Sequence, residues 1–139
     1  MSIIKKLKPE FEIVDTVQTI RYLEHGWPSS LCRWHLHEEY ELHLILNTSG
    51  KVFVGDYVGR FTPGSLFLTG PSLPHNWVTE KSETETVLLR DMLIQFNHDT
   101  IVQAWSAFPE LKELNYLLES SRSGIEFKGY DPELAKSYL

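Results

Sequence analysis

Two histidines separated by one residue are the first candidates for chemistry in this sequence. On a β-strand, His35 and His37 would point to the same face, with backbone positions about 6.5–7 Å apart. Two imidazoles at that spacing can converge on one ion through bonds of about 2.0–2.1 Å. Glu41 has the same parity beyond a predicted bend, and His75 opens a later strand. These four residues form a candidate metal site.

The ligand types narrow the choice of ion. Three imidazoles and one carboxylate suit Zn, Fe, Ni, Cu or Mn, whereas Ca and Mg prefer shells made of oxygen. The alternative is structural, with the two histidines bonded to backbone carbonyls or to Glu38 and Glu39. His43 shares the parity of Glu41 and could point inward, either into a ligand pocket or as a satisfied core histidine. Spacing alone leaves both interpretations open.

Short β-rich segments position these residues in the first two-thirds of the chain. Turn residues recur every 8–12 positions between them, a pattern typical of a sandwich or barrel. His25 and His98 lie in turn-like contexts, so we expect both at the surface. The predicted strands are residues 41–46, 51–54, 57–61, 65–69, 75–79 and 85–96, preceded by a mixed region at 11–23 that predicts two edge strands.

The last third of the chain has helical patterns instead. Asp99 can cap a helix that ends at Ala107, and Pro109 fits the first turn of a second helix. The apolar face of this second helix either packs on its own sheet or forms a subunit interface. Asp131, followed by a proline, indicates a third helix. The apolar face consists of Leu111, Leu114, Leu117 and Leu118.

Composition excludes several classes of protein. The 139 residues are 42% hydrophobic and 23% charged, which is typical of one globular domain with one core. The longest apolar runs have three residues, whereas a membrane span needs about 20. The net charge of −6 disfavours direct DNA binding, and we interpret the basic run Lys5, Lys6 and Lys8 as a solvated N-terminus. A single cysteine, Cys32, excludes an internal disulfide and favours the cytoplasm.

Residues 33–77 resemble the cupin domain at the front of AraC-family transcriptional regulators. The resemblance is carried by RWHLHEEYELHLIL and FVGDYVGRFTPGSLFLTGPSLPHNW, and extends more loosely to FPELKELNYLLESSRSGIEF. It implies a mainly β fold, a cupin double-stranded β-helix or jelly-roll barrel followed by C-terminal α-helices. The first cupin motif places His35, His37, Glu41 and Gly50, and the second runs from Pro63-Gly64 to Pro74-His75. In metal-binding cupins the four polar positions are ligands, which here are His35, His37, Glu41 and His75.

The resemblance also implies a domain organisation. Residues 1–98 would form the sensor barrel and residues 99–139 a helical extension for dimerisation, through its leucine face. A C-terminal DNA-binding part with two helix-turn-helix motifs would follow, and it is absent from this chain. The chain stops at Leu139, about two turns into the predicted third helix, so we interpret it as the front piece of a longer protein. We expect a ligand pocket formed by His43, Phe53, Tyr57 and Trp77.

The functional hypothesis is a cytoplasmic ligand-sensing domain of a transcription factor. A small effector would bind in the barrel, with help from a divalent metal such as Zn, Ni, Fe or Mn. The other expected partners are a second copy of the chain, and DNA only through the missing C-terminal domain, with no membrane. The alternative is a free-standing metal-dependent cupin enzyme, a dioxygenase or isomerase, with Glu39, His43 or Tyr57 handling protons. A third option is a sugar-binding or dimerising module without an ion.

Overall fold

The computed structural model describes residues 19–29, 34–80 and 85–138. The basic run of Lys5, Lys6 and Lys8, the single Cys32, and residues 11–18 of the predicted edge-strand region lie outside these described residues. Within the described ranges, no helix combines the length and apolar character that crossing a membrane requires.

The six strands predicted from residue 41 onward are present, with ends that shift by at most two residues, whereas the first strand continues to Trp27, four residues beyond the predicted edge-strand region. Residues 75–79 match the prediction at both ends. The last strand was not predicted, because it has only three residues and follows a helical region. The strands in the described ranges are β1 (Ile20–Trp27), β2 (Tyr40–Ile45), β3 (Gly50–Val54), β4 (Tyr57–Phe61), β5 (Leu66–Thr69), β6 (His75–Thr79), β7 (Val87–Phe96) and β8 (Ile125–Phe127).

The helices are α1 (His98–Ala107), α2 (Asn115–Ser120) and α3 (Pro132–Tyr138). The predicted cap of α1 is wrong by two residues: Asn97 is the cap, and its side chain accepts a hydrogen bond from the backbone N of Asp99 at 2.8 Å. Asp131 caps α3 as predicted. The single helix expected from Pro109 is divided, since a 3₁₀ helix (Pro109–Leu114) precedes α2 and a second one (Ser121–Ser123) follows it.

Two antiparallel sheets face each other, which gives the mainly β, cupin-like fold that the sequence predicts. One sheet has five strands in the order β1-β7-β2-β5-β8, and the other has three in the order β4-β3-β6. The long strand β7 pairs with both β1 and β2. Through β8, residues beyond 98 add a strand to the larger sheet, beside β5.

The larger sheet is covered on both faces. Its inner face meets the smaller sheet around an apolar cluster of Ile45, Val52, Val54, Phe61, Phe67 and Trp77. The outer face carries Leu42, Leu44 and Leu46, as the alternation of β2 predicts. Helical residues cover this outer face, among them Ile101, Trp105, Leu117, Leu118 and Ala135.

The contact between α2 and the outer face makes a measurable contribution to stability. Leu118 is 4% exposed and packs against Tyr40 and Leu68. We expect Leu118→Ala to lower the free energy of unfolding by about 2–4 kcal/mol, because it leaves a cavity under the helix. Urea denaturation followed by circular dichroism measures this change. Leu134→Ala on α3, at a position 54% exposed, is the control and should cost less than about 1 kcal/mol. Equal losses in the two variants would contradict the packing.

Candidate metal centre

The four predicted ligands come from both sheets and from the segment that enters β2. Glu41 lies on β2 of the larger sheet, and His75 is the first residue of β6 in the smaller sheet. His35 joins His75 through an isolated antiparallel bridge, in which the His75 N–H donates to the His35 carbonyl at 2.9 Å. The expectation that His37 shares a strand with His35 is wrong, because the chain leaves extended pairing after the bridge. A bend at residues 38–39 then brings Glu41 back toward the histidines.

The side chains converge. One potential ligand atom from each of the four residues lies within 4.8 Å of the others, and all four residues are buried. The ring centroids of His35 and His75 are 4.4 Å apart, and those of His37 and His75 are 5.0 Å apart. Ligand atoms that share one ion at about 2.0–2.2 Å lie about 3–4 Å from one another. The residues present therefore fit a single transition-metal ion with little rearrangement.

Backbone carbonyls orient two of the imidazoles. His37 Nδ1 donates to the carbonyl of Glu39 at 3.0 Å, and His75 Nδ1 donates to that of Leu73 at 2.7 Å. Each ring therefore turns its Nε2 toward Glu41. Hydrogen bonds of this kind fix the tautomer of metal-ligating histidines. Burial lowers the pKa of His75 to about 3 despite the nearby Glu41 carboxylate, so its ring stays neutral with a free lone pair.

Glu41 is a fully buried carboxylate with three polar groups around it. It accepts from His43 Nδ1 at 2.8 Å and from Gln95 Nε2 at 3.0 Å, and His37 Nε2 lies 3.0 Å from the oxygen that Gln95 bonds. Burial favours the neutral acid, but these bonds and the charge of the neighbouring histidines hold the pKa of Glu41 well below its usual range. The carboxylate is ionised at neutral pH, as a metal ligand requires.

A second buried carboxylate, Asp91, lies next to this group. Asp91 accepts from His25 Nδ1 at 2.9 Å and from Arg90 Nε at 2.6 Å, and His43 Nε2 is 3.4 Å away. These neighbours overcome burial and lower the pKa of Asp91. Burial alone would lower the pKa of His43, but the Asp91 charge and bonds to both carboxylates raise it to about 9. The expected surface position of His25 is wrong, because it is 6% exposed and its ring is hydrogen-bonded to Asp91.

Three polar residues of β7 belong to this site and were not predicted. Gln95 is the Cα partner of Glu41 in the β2–β7 ladder, and Asp91 is the partner of Ile45. Arg90 donates to the Trp77 carbonyl at 2.9 Å and so links the two sheets. A sequence signal for these residues exists in VLLRDMLIQF, where an arginine, an aspartate and a glutamine interrupt an otherwise apolar strand of ten residues.

The four predicted pocket residues separate into three places. His43 and Trp77 are in contact, with ring centroids 4.1 Å apart, beside the metal-ligand candidates. Phe53 lies on the opposite face of β3 from the buried Val52 and packs edge-on against Trp34 at 6.2 Å. Tyr57, the first residue of the edge strand β4, lines a separate cavity. The structure therefore brings two of the four to the candidate metal centre.

The residues considered for proton transfer are also dispersed. His43 contacts Glu41 directly, and both of its ring nitrogens face carboxylates. The Glu39 carboxylate is 3.6 Å from His37 Nδ1, on the side of the ring that points away from the centre.

His98 is half-buried and not at the surface as expected, because its Nδ1 pairs with the Tyr40 hydroxyl at 2.9 Å.

Comparisons with known proteins agree with the fold. The sequence profile of the AraC-like ligand binding domain matches residues 18–130. No curated protein matches the chain significantly. The structure of ToxT from Vibrio cholerae O395, bound to (E)-4-(8-methylnaphthalen-1-yl)but-3-enoic acid, is similar, with a TM-score of 0.50 and 7% sequence identity over 87% of this chain and 46% of that chain. Bacillus subtilis oxalate decarboxylase, a protein with Mn(II) centres, gives a TM-score of 0.37 and 15% identity over 75% of this chain and 32% of that chain.

The chain spans less than half the length of the two proteins to which its structure was compared. At 7% identity, the likeness to ToxT shows a shared fold. The profile match is more specific, because it extends from the residues before β1, through both sheets and the helices, to the residues that precede α3. The chain therefore belongs to the family of AraC-like ligand-binding domains.

Proposed function

We propose that this chain is the ligand-sensing domain of an AraC-type transcription factor. It binds a small effector in the barrel and controls a C-terminal helix-turn-helix domain outside the present sequence, in the cytoplasm. The observation that carries the proposal is the buried polar cluster around Glu41, within a chain of this family. A net charge of −6 agrees with a domain that reaches DNA only through another part of the protein.

We further propose that His35, His37, Glu41 and His75 hold a divalent transition metal such as Zn, Ni, Fe or Mn. A bound ion of this kind supplies a Lewis acid that can accept an oxygen or nitrogen atom of the effector. The protein's part is to hold the donors in place. Gln95 donates to one oxygen of Glu41, and His43 donates to the other. His43 and Trp77 lie next to the centre and would contact the effector.

A short connection leads from this centre to the helical extension, residues 99–139, that we propose as the output region. Tyr40 precedes Glu41 on β2 and therefore points to the opposite, outer face of the sheet. Its hydroxyl pairs with His98, the first residue of α1, and its ring stacks on Phe96 with centroids 5.1 Å apart. A shift of Glu41 on effector binding would move Tyr40 as well, and so bias the position of α1.

The metal proposal is tested by elemental analysis of the purified chain. We expect about one transition-metal ion per chain in the wild-type protein, and almost none in the His35→Ala/His37→Ala variant, because it removes two of four ligands. His98→Ala is the control, since it removes a histidine outside the cluster, and it should keep the metal. Equal metal content in the double variant and the wild type would exclude the site.

A substitution beside the ligands gives a graded test of the same site. Gln95→Leu leaves all four ligands in place but removes the hydrogen bond to Glu41 Oε2. We expect the affinity for Zn(II) or Ni(II) to fall by about tenfold to a hundredfold, as for other residues that orient a ligand. Competition with a chromogenic chelator measures the affinity. An unchanged affinity would show that the Gln95 hydrogen bond does not orient Glu41 for the metal.

We also propose a homodimer formed by the helical extension. Of the four leucines considered for this interface, Leu118 is buried on its own sheet and Leu111 and Leu117 are half-buried, whereas Leu114 is 38% exposed. Other apolar residues of the helical extension are exposed as well: Val102, Phe108 and Tyr116. Such a face, on the side of the helices away from the sheet, suits a symmetric contact.

The dimer proposal predicts a difference between two exposed positions. Phe108→Glu puts a charge on the proposed interface, and Leu134→Glu puts one on α3, away from it. We expect the first variant to raise the dimer dissociation constant by about tenfold or more and the second to leave it unchanged. Sedimentation equilibrium measures both. A monomeric wild-type chain, or the same effect from both variants, would contradict the proposed interface.

A further inference from the structure

A side cavity of about 260 Å³ lies between the edges of the two sheets, apart from the metal-ligand candidates. Its apolar floor is formed by residues at most 3% exposed, Val54 of β3 and Phe67 of β5. Tyr57 stands at the mouth, 47% exposed. The remaining lining residues are Thr69, Ser123, Gly124, Ile125 and Glu126. At about 30 Å³ for each water in the liquid, the volume corresponds to about nine waters, so it suits a small organic molecule.

The cavity wall contains one buried polar group that has no use in the fold. Thr69 is fully buried, and its hydroxyl has no hydrogen-bond partner among the residues that the structure describes. Leaving such a group unbonded has a cost in free energy. A ligand hydroxyl or carbonyl in the cavity could take up this bond after a rotation of the threonine side chain, which would recover that cost.

The cavity adjoins the candidate metal centre through the strand ladders. Thr69 is the Cα partner of Glu41 in the β2–β5 pair, and Val54 is the partner of His75 in the β3–β6 pair. Residues directly opposite in antiparallel strands point to the same face, with Cβ atoms about 4.5–5.5 Å apart. Two residues of the cavity wall are therefore direct strand neighbours of two proposed metal ligands. A molecule in the cavity would contact both of these wall residues.

The opposite wall of the cavity belongs to the helical extension. Residues 123–126 run from the last residue of the second 3₁₀ helix into β8, which pairs with β5. Ser121 is fully buried and ties this turn down, since its hydroxyl donates to the Leu118 carbonyl and its own carbonyl accepts from Gly70. Gly124 has φ +83°, and a Cβ there would lie 2.5 Å from Val54. The wall is thus closely fitted to the barrel.

We propose that this side cavity receives the apolar body of the effector. This inference rests on the proposed sensing function and names the chemical class of the ligand: a small uncharged molecule, with an apolar or aromatic body and one hydroxyl or carbonyl that bonds Thr69. The ring of Tyr57 provides an aromatic surface at the mouth. Binding there orders the turn at residues 123–126, and through Ser121 it stabilises α2.

Charge selects against anionic ligands. Glu126 lines the cavity, and its carboxylate is 3.5 Å from Lys128 Nζ. The Lys128 ammonium group is therefore already paired with Glu126 at the surface. No positively charged side chain lines the cavity within the described part of the chain. A ligand carboxylate would therefore lose its hydration without gaining a partner, which disfavours its binding.

Nuclear magnetic resonance titration of the ¹⁵N-labelled chain tests this inference with phenol and benzoate as probes of matched shape. We expect phenol to shift the amide signals of residues 67–69 and 123–126 in a saturable way. Benzoate should bind about tenfold more weakly. Thr69→Val should weaken phenol binding about fivefold through the lost hydrogen bond, without loss of folding. Tyr57→Ala should also weaken it, whereas the control Tyr22→Ala, at a 45% exposed position of β1 on the far edge of the larger sheet, should not.

Hydrogen exchange of the same samples tests the connection to the helices. Saturating phenol should slow exchange of the amides in residues 115–126, and the Thr69→Val protein at the same phenol concentration should show less protection. Phenol shifts that are scattered over the surface, or an unchanged affinity in Thr69→Val, would overturn the inference.

A metal-free sample separates this inference from the metal proposal. Phenol binding by the His35→Ala/His37→Ala variant with wild-type affinity would support the cavity as a site in its own right, whatever the metal analysis gives. A wild-type chain that holds its metal but shows no saturable phenol shift at residues 67–69 would overturn the cavity proposal and leave the metal proposal intact.

Discussion

A buried negative charge at Glu41 is the constraint on which the interior of this barrel depends. An ionised carboxylate without solvent is tolerated only when it is paired and fully hydrogen-bonded. Here His37, His43 and Gln95 surround the carboxylate, and they come from the segment that enters β2, the same strand and the neighbouring strand. Each of these elements must therefore be placed correctly if the carboxylate is to be paired. The buried charge thus constrains the fold as well as the site.

The need to pair buried charges extends from Glu41 through His43 to further residues. This imidazole bonds Glu41 on one side and lies against Asp91 on the other, and Asp91 in turn fixes His25 and Arg90. Arg90 reaches the backbone of the smaller sheet, so the chain of polar contacts runs across the barrel from one sheet to the other. Removing one member would leave a buried charge without its partner, which is more damaging than replacing the whole group by apolar residues.

The four ligand candidates could be predicted from sequence because their signal is local. Residue types and short spacings identify His35, His37 and Glu41, and a turn before a strand identifies His75. Gln95 and Asp91 could not be assigned in that way, because their roles come from the register of β7 against β2. That register is set by contacts between residues about fifty positions apart, and no local pattern reports it.

The failures of the helix and strand predictions have similar causes. Asn97 caps α1 in place of Asp99, because the end of β7 fixes where the chain can turn, and the cap therefore lies two residues earlier than predicted. The strand β8 has weak local preference over three residues and exists because β5 offers an open edge. The predicted division at residue 98 stays a prediction, although β8 shows that one sheet draws on both sides of it.

The interior is divided into a polar end and an apolar end, and that division argues for function. Packing the whole barrel with aliphatic side chains would avoid the desolvation of two carboxylates, an arginine and five histidines. The smaller sheet already does so around Val52 and Phe61. Stability alone therefore gives no reason for the polar end. A site for an ion and an effector does, because an equilibrium that ligands can shift requires groups whose pairing improves when the ligands bind.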